Sequence, residues 1–206
     1  MKIRSTVALA ARNLFRHRRR TFITASAVAV GLLMFILTDS VLVGVEEESN
    51  RNLIWYETGA AQVVHREYLA ERDDRPLKHA IENPAQIEAE LEAAGLEATS
   101  RIVFTGELIV FKDPFPEDGS IVITGYGIDP TDDDDVYRLP HALTHGTFLE
   151  AGRNEALLGA WLAEDIGAEV GYPITIVTRT RLGYYQTIDL EISGIVNTPN
   201  PIINRN

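Results

Sequence analysis

The feature that most constrains this chain is an uncharged, apolar stretch near its amino terminus. No ionisable side chain occurs from Thr21 to Thr38, and the wider stretch Thr21–Val45 holds 13 Val, Leu, Ile or Phe side chains among 25 residues. As a helix, the wider stretch would be about 37 Å long, which exceeds the roughly 30 Å hydrocarbon core of a bilayer. Buried helices of soluble cores rarely run this long without a charge. The stretch therefore predicts a transmembrane helix.

The charges on either side of this stretch predict its orientation. Residues 1–20 carry seven Lys or Arg side chains and no acid, whereas residues 46–206 carry 29 acids and 12 bases. Because basic flanks stay in the cytoplasm, we expect residues 46–206 to be extracytoplasmic. The basic and apolar regions are longer than those of a cleaved signal peptide, which favours an uncleaved signal-anchor. The net charge of −11 argues against a nucleic-acid partner.

The basic segment before the span allows two interpretations. Apolar side chains at positions 3, 7, 10 and 14 share one helical face. An interfacial helix on an anionic inner leaflet fits this pattern, and so does a plain basic flank. In both cases the membrane-flanking basic residues are Arg12, Arg16, Arg18, Arg19 and Arg20.

The rest of the chain predicts a helical extension followed by an α+β domain. We divide the chain into a basic cytoplasmic segment (1–20), a transmembrane helix (21–45), a helical extension or stalk (46–60) and an extracytoplasmic domain (61–206). Helix and strand patterns interleave in the last segment without a regular βαβ rhythm. Helices are expected from Asn83-Pro84 to Gly95 and over Ala160–Ile166. The predicted strands are Gln62–Arg66, Ser100–Val110, Ser120–Gly125, Glu155–Leu158, Pro173–Thr180 and Tyr184–Val196.

Signatures of catalysis and of nucleotide binding are missing from the sequence. The absence of cysteine excludes thiolate metal sites and a cysteine nucleophile. Gly125 and Gly127 follow a predicted strand, but Pro130 replaces the third glycine of a dinucleotide fingerprint. Neither GxxxxGK[ST] nor GxSxG occurs. We therefore predict that the chain is not an enzyme and binds no cofactor, and an anchored hydrolase using the outer carboxylates ranks last.

Three polar groups remain as candidates. His141 and His145 are four residues apart, but Pro140 precedes them and no third ligand is near, so we interpret them as loop residues without a metal. Asp132–Asp135 predicts a solvated acidic turn rather than a calcium loop. Asp39 is a candidate functional acid near the end of the span, although a carboxylate at headgroup level is the simpler interpretation.

An ordered set of segments resembles one family. Arg12–Leu32 (RNLFRHRRRTFITASAVAVGL) resembles the amino-terminal start of the MacB/FtsX/LolC-type ABC transporter permeases. Gly125–Leu139 is similar to the family's G-x-D-P turn, His145–Ile176 resembles its glycine and leucine pattern, and Asp189–Pro201 is similar to its closing strand. The resemblance is weakest over Leu69–Leu96. Full members have three further membrane helices, so we expect this chain to be the front part of a truncated or split permease.

The resemblance implies an inner-membrane subunit of a lipoprotein-release or macrolide-export system, with a MacB-like periplasmic core domain. Its implied partners are a P-loop ATPase that binds the ATP, a second permease copy or homologue, a periplasmic adaptor or lipoprotein chaperone, and membrane lipid. A helix from Arg20 to Glu57 would be roughly 55 Å long, and we hypothesise that this lever couples inner and outer motions. The alternative is a stand-alone signal-anchored binding module.

Overall fold

The computed structural model describes residues 18–205, and the chain divides into two compact units between Asn50 and Arg51. The apolar stretch lies within one helix of 36 residues, α1 (Arg18–Leu53). None of its residues is buried by the described part of the chain, and Phe22 and Phe35 are 74% and 69% exposed. α1 is long and apolar enough to cross a membrane, as a signal sequence would also be. The prediction of one long apolar amino-terminal helix is confirmed.

α1 passes directly into a single π-helical turn, Ile54–Thr58, which we call the junction turn. The N–H of Gly59 donates to the carbonyl of Ile54 at 3.1 Å, which closes the wider ring of a π-helix. Gly59 has a φ of 67°, a left-handed conformation that glycine adopts without a steric cost. The chain therefore stays helical beyond the apolar stretch as far as Thr58, and its last turn is wider than an α-helical turn.

The segment that follows Gly59 corrects one prediction. Residues 62–66 form no strand, and Val63 is 58% exposed. The pattern there is short, and the local bond from the N–H of Tyr68 to the carbonyl of His65 favours a turn instead. Single 3-10 turns follow at Tyr68–Ala70, Arg72–Asp74 and Leu77–His79.

The predicted helix at Asn83-Pro84 is confirmed as α2 (Pro84–Ala93). Proline stands in the first turn, where its missing N–H costs no hydrogen bond. The side chain of Asn83 makes no capping hydrogen bond. Gly95, at a φ of 82°, follows the end of the helix as predicted.

Within residues 18–205, six strands form one sheet. They are β1 (Arg101–Val110), β2 (Gly119–Ile128), β3 (Leu143–Gly146), β4 (Glu155–Gly159), β5 (Pro173–Arg179) and β6 (Tyr185–Val196). The order is β2–β1–β5–β6–β3, and β4 also pairs with β6. Only the β4–β6 pair is parallel among these strands. The α+β prediction is confirmed as a mixed α/β domain, and β3 is the strand that the pattern missed.

Three short helices complete the described chain: α3 (Asp133–Val136), α4 (Ala160–Ile166) and α5 (Pro201–Asn204). The predicted helix over Ala160–Ile166 is confirmed. The core lies between the sheet and α4, where Leu108 and Ile192 are 1% and 0% exposed and pack with Leu162. Gly125 leaves room for the ring of Phe104 on the neighbouring strand, because a Cβ at Gly125 would overlap that ring. Most of the buried apolar side chains of this core belong to the strands.

Candidate functional site

The junction turn is tied to the sheet by a buried arginine. Arg101 is the first residue of β1, and its Nη1 donates to the carbonyl of Tyr56 at 3.5 Å. Tyr56 itself is buried, whereas Ile54 and Trp55 are 39% and 37% exposed, so the turn packs into the domain through Tyr56. A π-helical turn leaves carbonyls out of the regular α-helical pattern, and here one of them accepts from Arg101. Arg101 therefore joins the end of the long helical segment to the first strand.

Arg101 is held in turn by a carboxylate on α3. Its Nε and Nη2 donate to Oδ1 and Oδ2 of Asp133, each at 2.7 Å. The two parallel bonds make a bidentate pair, which is the strongest common geometry for arginine and a carboxylate. The side chains of Arg101 and Asp133 are 8% and 0% exposed. The pair is therefore held out of solvent.

An aromatic ring completes this arrangement. The guanidinium carbon of Arg101 lies 3.2 Å from the ring centroid of Tyr137, which follows α3 and is buried. Arginine stacks well on aromatic faces because its planar charge is weakly hydrated. Tyr137 also lies close to Gly59, where an added Cβ would be 3.4 Å from the tyrosine oxygen. The ring thus packs against both the arginine and the end of the junction turn.

The electrostatics of this pair are dominated by burial. Burial raises the pKa of Asp133, and the charge of Arg101 and its hydrogen bonds oppose that rise. Burial also raises the pKa of Tyr137, with Asp133 adding to the rise and Arg101 opposing it. Desolvating two charges is costly, and removing one partner leaves the other uncompensated. We therefore expect that removing either Arg101 or Asp133 alone lowers the free energy of unfolding of the domain.

Two further contacts hold the junction turn. The N–H of Arg138 donates to the carbonyl of Trp55 at 2.9 Å, and the Arg138 guanidinium lies 6.0 Å from the Trp55 ring centroid. Nδ2 of Asn200 donates to Oε2 of Glu57 at 3.0 Å. Three consecutive residues of the turn therefore contact the segment after α3, the start of β1 and the segment before α5.

A buried network of hydrogen bonds supports the contact between Asn200 and Glu57. The amide N–H of Thr198 donates to Oδ1 of Asn204 at 2.8 Å, and the Thr198 hydroxyl donates to the carbonyl of Asn200 at 2.9 Å. Oδ1 of Asn200 accepts from the N–H of Ile202 at 2.9 Å, which caps α5. Because these groups satisfy one another, the side chain of Asn200 is held in place to meet Glu57.

A cavity of about 370 Å³ lies beside the junction turn. Tyr56 and Arg101 line it together with apolar side chains of the sheet, including Phe104 and Leu108. Its volume falls in the range of small-ligand pockets. No sequence pattern predicted it, because its walls come from strands that are far apart in the chain.

The candidate residues chosen from the sequence lie apart from this junction. Arg12 and Arg16 fall outside the described residues, and Arg18, Arg19 and Arg20 are exposed in the first turn of α1. Asp39 lies within α1 and is exposed, with 14 further residues of the helix after it. Their predicted roles stay predictions.

The histidine and aspartate patterns have different outcomes. His141 lies in a 3-10 turn, 61% exposed and 3.7 Å from Asp134, whereas His145 lies in β3. The prediction of a solvated acidic turn is wrong for Asp133, which is fully buried against Arg101. The signal that was available is Arg101, the basic residue that opens β1, because an arginine requires a counter-ion if it is buried.

The comparisons with known proteins give no family for this chain. No protein-family model matches it, and a comparison with curated proteins gives no match. The resemblance to MacB/FtsX/LolC-type permeases therefore stays a prediction from the quoted segments.

Proposed function

We propose that this chain is a membrane-anchored, permease-like subunit of an ABC transport system of the lipoprotein-release or macrolide-export type. In this proposal α1 crosses the inner membrane, residues 1–20 lie in the cytoplasm and residues 46–206 are extracytoplasmic. The chain performs no catalysis, and ATP is bound by a partner P-loop ATPase. The family resemblance and the charge asymmetry support the proposal.

The observation that carries the coupling part of the proposal is the way the junction turn is held. Three of its residues are bonded to Arg101, Arg138 and Asn200. A displacement that reaches this turn along α1 would be passed to the first strand, to the segment after α3 and to the segment before α5. α1 resists extension because its backbone hydrogen bonds follow one another along the helix. The chain would thus transmit motion that the ATPase generates.

The membrane placement can be tested by labelling single cysteines, because the chain has none of its own. Leu182→Cys places a thiol at a position that is 82% exposed, between β5 and β6. Ser5→Cys places one in the basic segment. In right-side-out membrane vesicles, a membrane-impermeant maleimide should label the cysteine at position 182 at once and the cysteine at position 5 only after detergent is added. Equal labelling of both positions, or the reverse order, would contradict the proposed orientation.

The transport role can be tested by recovering the untagged chain's complex from membranes in a mild detergent. We expect mass spectrometry to find a P-loop ATPase together with a multi-span partner. Recovery of the chain alone, or with only a soluble envelope protein, would instead favour an anchored binding module and end the transport proposal.

The coupling role can be tested in that complex with a helix break. Val45→Gly with Glu46→Pro interrupts α1, at a cost of about 3 kcal/mol or more to the helix from proline alone. Val45→Ala with Glu46→Ala changes the same positions and keeps the helix. We expect the Gly-Pro variant to uncouple ATP hydrolysis from the permease, so that the ATP hydrolysis rate of the complex falls to that of the ATPase alone. The Ala-Ala variant should leave the ATP hydrolysis rate unchanged. Equal rates for the two variants would refute the lever.

A further inference from the structure

A cluster of metal-ligand side chains lies in the segment between the junction turn and α2. His65, Glu67 and His79 each place one ligand atom within 4.8 Å of the others. His65 and Glu67 are exposed and close in sequence, and His79 ends the 3-10 turn Leu77–His79. We call these three residues the histidine cluster. Two imidazoles and one carboxylate are a ligand set that zinc accepts in proteins.

The separation between His79 and Glu67 fits two ligands of one metal. Nδ1 of His79 lies 3.4 Å from Oε2 of Glu67. A charge-assisted hydrogen bond would bring such atoms to about 2.7–2.9 Å. Zinc bonds of about 2.0–2.1 Å at tetrahedral angles place two ligand atoms roughly 3.4 Å apart. The observed spacing is therefore long for a direct bond and suited to a shared ion.

The second nitrogen of His79 provides an independent observation. Nε2 is buried and has no hydrogen-bond partner within residues 18–205, although Oε1 of Glu71 lies 3.8 Å away. Buried polar atoms without a partner are rare and call for an explanation. A metal-bound histidine usually donates its other N–H to a carboxylate, which fixes the ring. Glu71 stands where such a carboxylate is needed.

The remaining ligand, His65, is stacked against His79. The rings of His65 and His79 are parallel within 3°, with centroids 5.7 Å apart. The N–H of Glu67 donates to Nδ1 of His65 at 3.3 Å, so in the zinc-bound form either this bond is given up or Nε2 is the ligand atom of His65. Because His65 and Glu67 are exposed, both side chains can turn toward His79 without displacing core residues.

We propose that the histidine cluster binds one zinc-class divalent ion through His65, Glu67 and His79. Glu71 is a positioning residue, whose Oε1 would move in from 3.8 Å to accept a hydrogen bond from Nε2 of His79 when the ion is bound. Lys78 pairs with Oε2 of the same carboxylate at 2.7 Å. The ion would tie the start of the segment after Gly59 to its third 3-10 turn. This site is independent of the proposed transport role.

The test uses the full, untagged chain in detergent after treatment with a chelator. Titration with zinc chloride against a chromophoric chelator should show one ion per chain. His79→Gln should weaken zinc binding at least about 100-fold, and Glu71→Gln about 10- to 100-fold, as changes around metal ligands do. His141→Gln is the matched control, because His141 is exposed and lies outside the cluster, and it should leave the affinity unchanged.

Two results would overturn the proposal: no one-to-one zinc binding, or equal affinity of the His79→Gln and His141→Gln variants. Since His79 is 13% exposed and its replacement can disturb folding, His65→Gln provides a second variant at an exposed position. His65→Gln should lose zinc affinity while keeping the unfolding transition of the metal-free protein. Magnesium at millimolar concentration should not displace zinc, because magnesium prefers oxygen ligands.

Discussion

α1 and the sheet use the same kinds of side chain in opposite ways. In α1, Leu33 and Phe35 are 55% and 69% exposed, whereas in the sheet Leu108 and Ile192 are 1% and 0% exposed. A helix satisfies its backbone hydrogen bonds internally, so its side chains can face hydrocarbon on every side. A strand needs neighbouring strands for its backbone and a second layer for its side chains. The comparison teaches that the apolar side chains of the sheet are covered by the domain itself, whereas those of α1 are not covered by the described chain.

The two regions also differ in whether their carboxylates are exposed or buried. The described apolar part of α1 holds a single carboxylate, Asp39, which is exposed. The sheet domain instead buries Asp133 completely and compensates it with Arg101. A buried charge is tolerated only where a partner is fixed nearby, and the strand provides that fixed position.

The largest effect is expected from breaking this buried pair. Arg101→Met leaves Asp133 buried without a counter-charge and should lower the free energy of unfolding by about 3–5 kcal/mol. Denaturant unfolding of the full chain in detergent, followed by tryptophan fluorescence, measures this loss. Both tryptophans, Trp55 and Trp161, lie in the second unit and report on it.

The matched control for the pair is Arg179→Met, because Arg179 is exposed on β5. It should change the free energy of unfolding by less than about 1 kcal/mol. The double change Arg101→Met with Asp133→Leu should recover part of the loss, since it removes both charges together. If Arg101→Met costs no more than Arg179→Met, the buried pair does not stabilise the domain.

A smaller effect is expected from truncating the core. Leu108→Ala removes a side chain that is 1% exposed and that lines the cavity beside the junction turn. Large-to-small core changes of this kind cost about 3 kcal/mol, because the void is only partly closed by relaxation. The same denaturant measurement should show this loss, and the protein should stay in the membrane fraction.

The same substitution in α1 is the control and has the smallest expected effect. Leu33→Ala removes only about 0.5 kcal/mol from the insertion free energy that 13 Val, Leu, Ile or Phe side chains share in the span. Membrane retention and the unfolding transition should both stay as in the unaltered chain. A loss for Leu33→Ala as large as that for Leu108→Ala would mean that α1 is packed against protein, and the contrast between the two regions would fail.

Elements with a strong local pattern were predictable from the sequence. The helix Ala160–Ile166 and the strand pair of β5 and β6 lie where the pattern places them, because glycine and the alternation of apolar residues mark them locally. The strand expected at 62–66 failed because two adjacent valines among five residues do not provide a partner strand. β3 was missed for the opposite reason, since its four residues carry little pattern and pair with β6 about 50 positions away.

The candidate site shows the same limit at the level of single residues. The positions 132–135 are four consecutive aspartates, and the sequence offers no reason to separate them. The fold buries Asp133 because Arg101, 32 residues earlier, is delivered by the start of β1 to the same point. The histidine cluster was also missed, since His65 and His79 are separated by turns whose bends no periodicity describes.

By itself, the sequence determined the long helix. The length of the apolar stretch and the absence of charge within it are local properties, and a helix makes its backbone hydrogen bonds between residues four apart, without a partner element. The sequence also determined most strand positions and the asymmetry of charge around the apolar stretch. Only the tertiary structure decided which aspartate is buried, which carbonyls of the junction turn are held and which histidines meet. Those outcomes depend on side chains that the fold brings together from distant positions, because electrostatic attraction and packing are strong only at short distances.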